Sequence, residues 1–247
     1  MRHTFRYAVT GVVEPGATVE LTPDDTHHVT RVVRRGAGDE IEVIDAAGRI
    51  WPAVVDGLGP PVRVRLAAAP RPGPPAAAID LFLGILDWGR LDLVVEKCTE
   101  LGVDRITVFT SDRARRRVDQ AAFARRLDRM SRLVEAAARQ SGRGARPDLR
   151  GLVPFSAMVD AVEATQTFLV DARGDAGLGD TLRARSLARA TIVVGPDAGF
   201  SDDEVTRART RGLAVCGLGT ATLRAETAAL VATALAAEAL GFLGVAE

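Results

Sequence analysis

The sequence predicts an α/β protein in two parts: a small β-rich domain over residues 1–70 and a larger parallel-sheet domain over residues 79–247. Three observations carry this reading. Residues 1–70 contain short strand-like runs separated by turn signals, with one brief helical stretch. A Pro-rich linker, residues 71–78 within APRPGPPAAA, then interrupts the chain. Beyond it, apolar runs of strand length alternate with amphipathic helices, a pattern that implies parallel strands in a layered fold.

In the first part, Phe5–Val9 and Thr18–Leu21 are brief strand candidates. Glu40–Ile44, Arg49–Val55 and Val62–Leu66 are clearer, divided by AAG and GLGPP turns. Asp24 or Asp25 can cap a short helix with Val29, Val32 and Val33 on its inner face. Five short strands and a helix suit a small barrel, which leaves few sheet edges open. Arg31, Arg34 and Arg35 follow His27–His28 near its surface. No further ligand accompanies the histidine pair, so surface polarity explains it better than a metal site.

The second part opens with the strand IDLFLGIL, the helix GRLDLVVEKCTELG and the strand VDRITVFT. A long helix over Asp119–Arg139 places Phe123, Leu127, Met130, Leu133, Val134 and Ala137 on one face. Arg125, Arg126, Arg129 and Arg132 crowd the other. From Arg113 to Arg150 twelve arginines stand against four acids, a local basic field in a chain of zero formal net charge. Within it RQSGRGARP, with Arg139 and Arg143, is a basic, glycine-bearing loop suited to RNA phosphates. Ser156–Ala164, Thr167–Asp171 and Leu178–Arg185 then supply helix, strand and helix.

Two strand–glycine loop–helix units close the chain. TIVV leads into GPDAGF (Gly195–Phe200), and LAVC leads into LGTATLRAETAAL (Leu218–Leu230). Ser201 and Glu204 have capping-box spacing at the start of the first helix. The second helix, from about Glu226 to Leu240, is apolar nearly all round, as buried or interfacial helices are. Loops at the carboxyl ends of parallel strands are where such sheets bind ligands. Phe168–Gly177 supplies a third loop on the same rim. Neither glycine loop has the GxxxxGK[ST] cradle, and GLGTAT lacks the third glycine of GxGxxG, which favours a ligand with few phosphates or none.

Composition sets further bounds. With 47% apolar residues the chain has ample core material. Only Lys97 among the 32 basic residues is a lysine, so arginine abundance by itself says little about partners. Cys98 and Cys216 stand alone without CxxC spacing, which favours a reducing compartment. With no apolar signal region and no run of spanning length, the expected location is cytoplasmic, without membrane contact.

GPDAGFSDDEV resembles a GPEGG-F-S-xx-E motif, and LGTATLRAETAAL resembles LG-x-x-x-LR-x-ETA. Together with VEKCTELGVDRITVFTSDRA and EAAARQSGRGARPDL, they are similar to the bacterial small-subunit ribosomal RNA uridine-N3 methyltransferases of the SPOUT superfamily. The resemblance spans most of the chain, with four motifs in the family's order. It implies a C-terminal SPOUT-type trefoil-knotted domain that dimerises, and an N-terminal PUA-like RNA-binding barrel. Sequence rules do not themselves specify a knot. It also implies S-adenosylmethionine as methyl donor, no metal, and small-subunit (16S) ribosomal RNA as substrate, free or in the assembled 30S subunit.

On this reading the cofactor is held by Val170, Gly195, Pro196, Asp197, Gly199, Leu218, Gly219 and Leu223. RNA contacts fall to Arg31, Arg34, Arg35, Arg139 and Arg143. Arg224 suits stabilisation of charge on uracil, since its planar fork is permanently charged. Glu226 and Glu100 are candidate proton acceptors, with water the alternative, and an Arg224–Glu226 ion pair is the competing structural role. The chain departs from the family pattern at Asp197-Ala198, where Glu-Gly is usual, at Thr220-Ala221, where Pro-Arg is common, and at Gly89-Arg90, within a segment that is usually more basic. The alternatives are a non-catalytic RNA-binding or ribosome-assembly protein, and a SPOUT methyltransferase with another RNA target.

Overall fold

The computed structural model describes residues 5–71, 78–114, 118–141, 143 and 146–243. The expected linker, apart from Arg71 and Ala78, falls outside these residues, as do Arg115–Arg117 and Gly142, Gly144 and Ala145 of the basic loop. The chain forms two compact units, Met1–Pro75 with Ala138–Arg146, and Ala76–Ala137 with Pro147–Glu247.

The smaller unit is built on β1 (Arg6–Ala8), β2 (Thr18–Glu20), β3 (Glu40–Ile44), β4 (Ile50–Gly57) and β5 (Arg63–Leu66). They form one sheet in the order β1-β3-β4-β5-β2, parallel between β1 and β3 and antiparallel elsewhere. In β5 Val64 and Leu66 are buried while Arg63 and Arg65 are exposed, the period-two pattern of a sheet with one wet face. Tyr7, Val43, Trp51 and Val64 meet in its core.

Helix α1 (Pro23–His27) is capped by Thr22, not by Asp24 or Asp25. The Asp25 backbone N–H donates to Thr22 Oγ1 at 3.1 Å, and Pro23 fills the first helical position, where its missing N–H costs nothing. A π-helical turn, His28–Val32, follows. Its extra residue rotates what comes after it by about 100° relative to an α-helix. That is why Val29 is fully buried while Val32, expected on the inner face, is 60% exposed.

The larger unit holds β6 (Ile79–Gly84), β7 (Arg105–Thr110), β8 (Asp148–Pro154), β9 (Thr167–Val170), β10 (Ala176–Gly177), β11 (Ala190–Val194) and β12 (Ala214–Gly217). All pairs are parallel, in the order β10-β12-β9-β11-β6-β7-β8. The helices are α2 (Trp88–Glu100), α3 (Gln120–Gln140), α4 (Phe155–Ala161), α5 (Leu178–Arg183), α6 (Asp202–Thr210) and α7 (Ala225–Ala239). Strands β8 and β10 were not expected. β8 alternates poorly, with Arg150 and Gly151 exposed at its centre, and β10 is too short to show any period.

Helix α7 packs on α2, α5, β6 and β11. Ala225, Ala229, Ala232 and Ala236 form its buried stripe, at spacings of four, three and four, and such small side chains allow close approach. Cys98 Sγ lies 3.5 Å from Thr233 Oγ1 within this contact, and burial pushes the Cys98 thiol up to about 12.

A cleft at the carboxyl ends of three strands

Strand order explains why loops far apart in sequence meet. β9 lies between β12 and β11, with Val170 in register with both Cys216 and Val194. The chain therefore leaves three adjacent strands on one edge of the sheet, through the segments 171–175, 195–201 and 218–224. Between them is a cleft of about 290 Å³.

The GPDAGF loop is folded over its own phenylalanine. Phe200 is buried, stacked on Phe109 with ring centroids 6.2 Å apart and beside Phe155 at 5.6 Å. A Cβ on Gly195 would come within 3.0 Å of the Phe200 ring. Gly199 takes a φ of +68° and donates its N–H to the Pro196 carbonyl at 2.8 Å, closing a tight turn. The Ser201–Glu204 capping box is present, and Glu204 also accepts from Ser111 Oγ at 3.0 Å and the Asp112 N–H at 3.1 Å.

The loop after β9 is tied to this one by an arginine. Arg173 donates from Nε and Nη2 to the two Asp171 oxygens at 2.7 and 2.9 Å, from Nη1 to Asp202 at 2.6 Å, and from Nη2 to the Phe200 carbonyl at 3.0 Å. Burial works against charge on Asp171, but the Arg173 side-chain and backbone hydrogen bonds outweigh it and hold that carboxyl below the usual range.

A second arginine clamps the other side. Asp87 caps α2 by accepting the Arg90 N–H at 3.1 Å. The Arg90 guanidinium turns back onto Asp87, donates to Asp197 Oδ1 at 2.5 Å, and lies 3.6 Å from Glu226 Oε2. Its hydrogen bond to Asp87 raises the Arg90 pKa, so its charge is secure. Glu226 Oε2 is buried without a hydrogen-bond partner.

All eight expected cofactor residues, Val170, Gly195, Pro196, Asp197, Gly199, Leu218, Gly219 and Leu223, line this one cleft. Arg224 sits at the N-cap of α7, exposed, between the lining residues Leu223 and Ala225. The competing ion pair with Glu226 is not formed; the cation facing Glu226 is Arg90. Glu100 is not brought to the cleft. It ends α2 roughly 15 Å along the axis from Arg90 and is held by Lys97 at 2.8 Å.

The expected RNA-contact arginines divide. Arg31 and Arg34 are exposed and Arg35 is partly buried. Arg139 pairs with the buried Asp25 at 3.2 Å, its side chain 27% exposed, and Arg143 is only 7% exposed. Of the basic face on α3, Arg126 and Arg129 are both bound to Asp92, while Arg125, Arg129 and Arg132 are all exposed.

Sequence reasoning missed Gly84, Gly174, Asp171, Arg173 and, as a site residue, Arg90. A Cβ on Gly84 would lie 2.4 Å from the Pro196 nitrogen, and one on Gly174 would lie 2.2 Å from the Gly217 nitrogen. Both glycines let one strand-end loop cross another chain segment. Glycine at the end of an apolar strand is the one signal that could have marked Gly84. The two arginine clamps join residues too distant in sequence to be paired in advance.

Among the described residues no group of His, Cys, Asp and Glu could hold a metal, and no helix is long and apolar enough to cross a membrane.

Comparisons with known proteins agree with this architecture. Residues 73–237 match the family model of an RNA methyltransferase domain, and residues 21–60 match that of an RNA methyltransferase PUA domain. A protein of Synechocystis sp. named ribosomal RNA small subunit methyltransferase E is 28% identical over 222 residues, covering 88% of this chain and 72% of that one. A solved structure of a methyltransferase from Legionella pneumophila, in complex with bound SAM, superposes with a TM-score of 0.79 at 26% identity, covering 96% of this chain and 98% of that one. The ribosomal RNA small subunit methyltransferase E of Neisseria gonorrhoeae, bound to S-adenosyl methionine, gives a TM-score of 0.77 at 26% identity over 94% and 96% of the two chains. The chain belongs to the RNA methyltransferase family that includes the ribosomal RNA small subunit methyltransferases E, within the SPOUT superfamily.

Proposed function

We propose that the protein methylates N3 of a uridine in small-subunit (16S) ribosomal RNA, with S-adenosylmethionine bound in the three-loop cleft. The observation that carries this reading is the lining itself: main chain from three strand-end loops, mostly apolar side chains and two aspartates, with no lysine or arginine among the described lining residues. Such a cleft suits an adenosine and a methionine better than a phosphate chain. The glycine-to-backbone crossings at Gly84 and Gly174 fit the same ligand, because they keep the loops closely packed and the cradle narrow.

The bound donor supplies an already activated methyl group. The chain must present the acceptor and manage its charge. N3 lies on the Watson–Crick edge, so the base has to be unpaired or flipped out, and its proton must leave before the nitrogen can attack. Arg224 stands at the rim with an exposed guanidinium, free to pair with the uracil oxygens as negative charge develops there. Glu226 is the proton acceptor closer to hand, with one buried oxygen that lacks a hydrogen-bond partner. Glu100 is too far along α2 to serve.

The smaller unit is the RNA-binding part in this account, with Arg31, Arg34 and Arg35 on or near its surface. Exposed Leu93 on α2 and Val231 on α7 lie on two helices that pack together. A second copy of the chain covering them gives the homodimer. The reaction belongs in the cytoplasm, where ribosomal RNA is made and assembled. Mass spectrometry of small-subunit RNA nucleosides from cells lacking the gene tests the reading: 3-methyluridine should disappear and return on complementation.

A further inference from the structure

The charges around the cleft are unevenly shared. Among the described lining residues, only Asp171 and Asp197 are charged, and both are acids. Each is held by an arginine outside the lining that serves other carboxylates too. Arg173 is divided between Asp171 and Asp202, and Arg90 among Asp87, Asp197 and Glu226. Two guanidiniums thus face five carboxylates. Arg224 adds one cation at the rim, and Arg209, paired with Asp175, acts on Asp171 as well; the acids remain in excess. Hydrogen bonds from Arg173 favour the charged form of Asp171, and Arg90 holds Asp197 in place. Apart from Thr222, the rest of the lining is main chain and apolar side chains, where a charge is screened less than in open water.

We propose that Asp171 and Asp197 make this cleft charge-selective, so that it holds a sulfonium ligand and releases the neutral thioether formed from it. The inference rests on the cofactor reading above and adds a role for two acids that takes no part in the bond-making. Methyl transfer breaks one S–C bond and forms one N–C bond. The sulfur keeps the electron pair and loses its positive charge, while the proton of the acceptor nitrogen leaves to the base or to solvent. The donor and its product therefore differ by one methyl group and one charge at the sulfur. A cleft lined by backbone cannot separate them strongly by shape, because one methyl group in an apolar pocket gives only about 10–200-fold discrimination. Fixed carboxylates add attraction for the donor alone.

Calorimetry on the full chain with three ligands separates charge from shape: S-adenosylmethionine, S-adenosylhomocysteine, and sinefungin, whose amine keeps a positive charge where the donor has its sulfonium. Asp197→Asn is expected to weaken the two cationic ligands by about three- to tenfold, the scale of up to one pKa unit of differential interaction, and to change the thioether by less than about twofold. Asp171→Asn should act in the same direction. If either variant fails to fold, the wild-type protein still decides the matter. Raising salt from roughly 50 to 500 mM should narrow the gap between cationic and neutral ligands. Equal weakening of all three ligands would reduce the acids to loop supports and overturn the inference. So would a ratio indifferent to the substitutions, or to salt where the variants do not fold. A wild-type chain that binds none of the three overturns the cofactor reading itself, which is a different result.

Discussion

Gly84, the last residue of β6, lies directly against the Gly195–Pro196 peptide: a Cβ at Gly84 would stand 2.4 Å from the Pro196 nitrogen and 2.8 Å from the Gly195 carbonyl carbon. Those are backbone atoms, so relief requires moving the loop. Gly84→Ala should shift GPDAGF out of place, destabilise the larger unit by about 1–3 kcal/mol, the usual range for overpacking, and lower cofactor affinity by at least tenfold. Thermal melts and calorimetry check both effects. Gly199→Ala is the contrast. It has open space around it but a φ of +68°, so its cost is backbone strain of about 1 kcal/mol with no displacement of the neighbouring strand.

Arg224 makes a sharper test of chemistry. It caps α7 through its backbone, the Ala228 N–H donating to its carbonyl at 2.8 Å, while its side chain has no cap hydrogen bond. Arg224→Ala should therefore leave the fold and cofactor affinity nearly unchanged. Methyl transfer should fall by about 10²–10³-fold, the cost of losing one charge-stabilising donor. Single-turnover rates alongside cofactor titration distinguish this from a structural role, in which cofactor binding would fall with the rate.

Tyr7 ties the smaller unit to pH. It is the only tyrosine in the chain, 1% exposed, with its hydroxyl 3.0 Å from His28 Nδ1. Burial first, and Asp25 second, push its pKa from 10.0 up to about 12, against the opposing charges of Arg35 and Arg139. Below pH 10 the phenol is neutral in both folded and unfolded chains, so stability is whole. Between about 10 and about 12 the unfolded chain ionises first, and stability is lost as the pH rises. Near-ultraviolet absorbance of the phenolate should titrate late, and Tyr7→Phe should remove this component of alkaline unfolding.

The arginines predict opposite outcomes by position. Arg139→Ala leaves the buried Asp25 without its ion-pair partner and should destabilise the smaller unit, since stranding a buried charge is costly. Charge reversal at exposed Arg31 and Arg34 should leave stability within about 0.5 kcal/mol. Each should weaken RNA binding and flatten its salt dependence by about 0.7–0.9 in the log–log slope. Filter binding across a salt series reads this directly.

The cleft was legible in the sequence to the extent that its residues were local. The strand–glycine loop–helix units announced GPDAGF and LGTATLR as loops, and strand order brought all eight expected lining residues together. What the sequence could not show was pairing at a distance. Arg90 and Asp197 are separated by 107 positions, and Arg173 and Asp202 by 29, so neither clamp has a local signature. The basic segment was only partly legible for a related reason. Composition counts arginines but not their partners, and Arg126, Arg129 and Arg139 find Asp92 and Asp25 in the fold. In the smaller unit one inserted residue, the π-turn at His28–Val32, was enough to turn Val32 outward.

Methyl transfer to a uridine base is the step on which the proposed function stands. Purified protein incubated with methyl-labelled S-adenosylmethionine and small ribosomal subunits from cells lacking the gene tests it most directly, with the RNA digested to nucleosides afterwards. Label should appear in a single nucleoside that co-elutes with 3-methyluridine, and should be lost with Arg224→Ala. Label in another nucleoside or on a ribose would contradict the proposed acceptor. Tight cofactor binding with no label in RNA, free or assembled, would leave a binding protein and no enzyme.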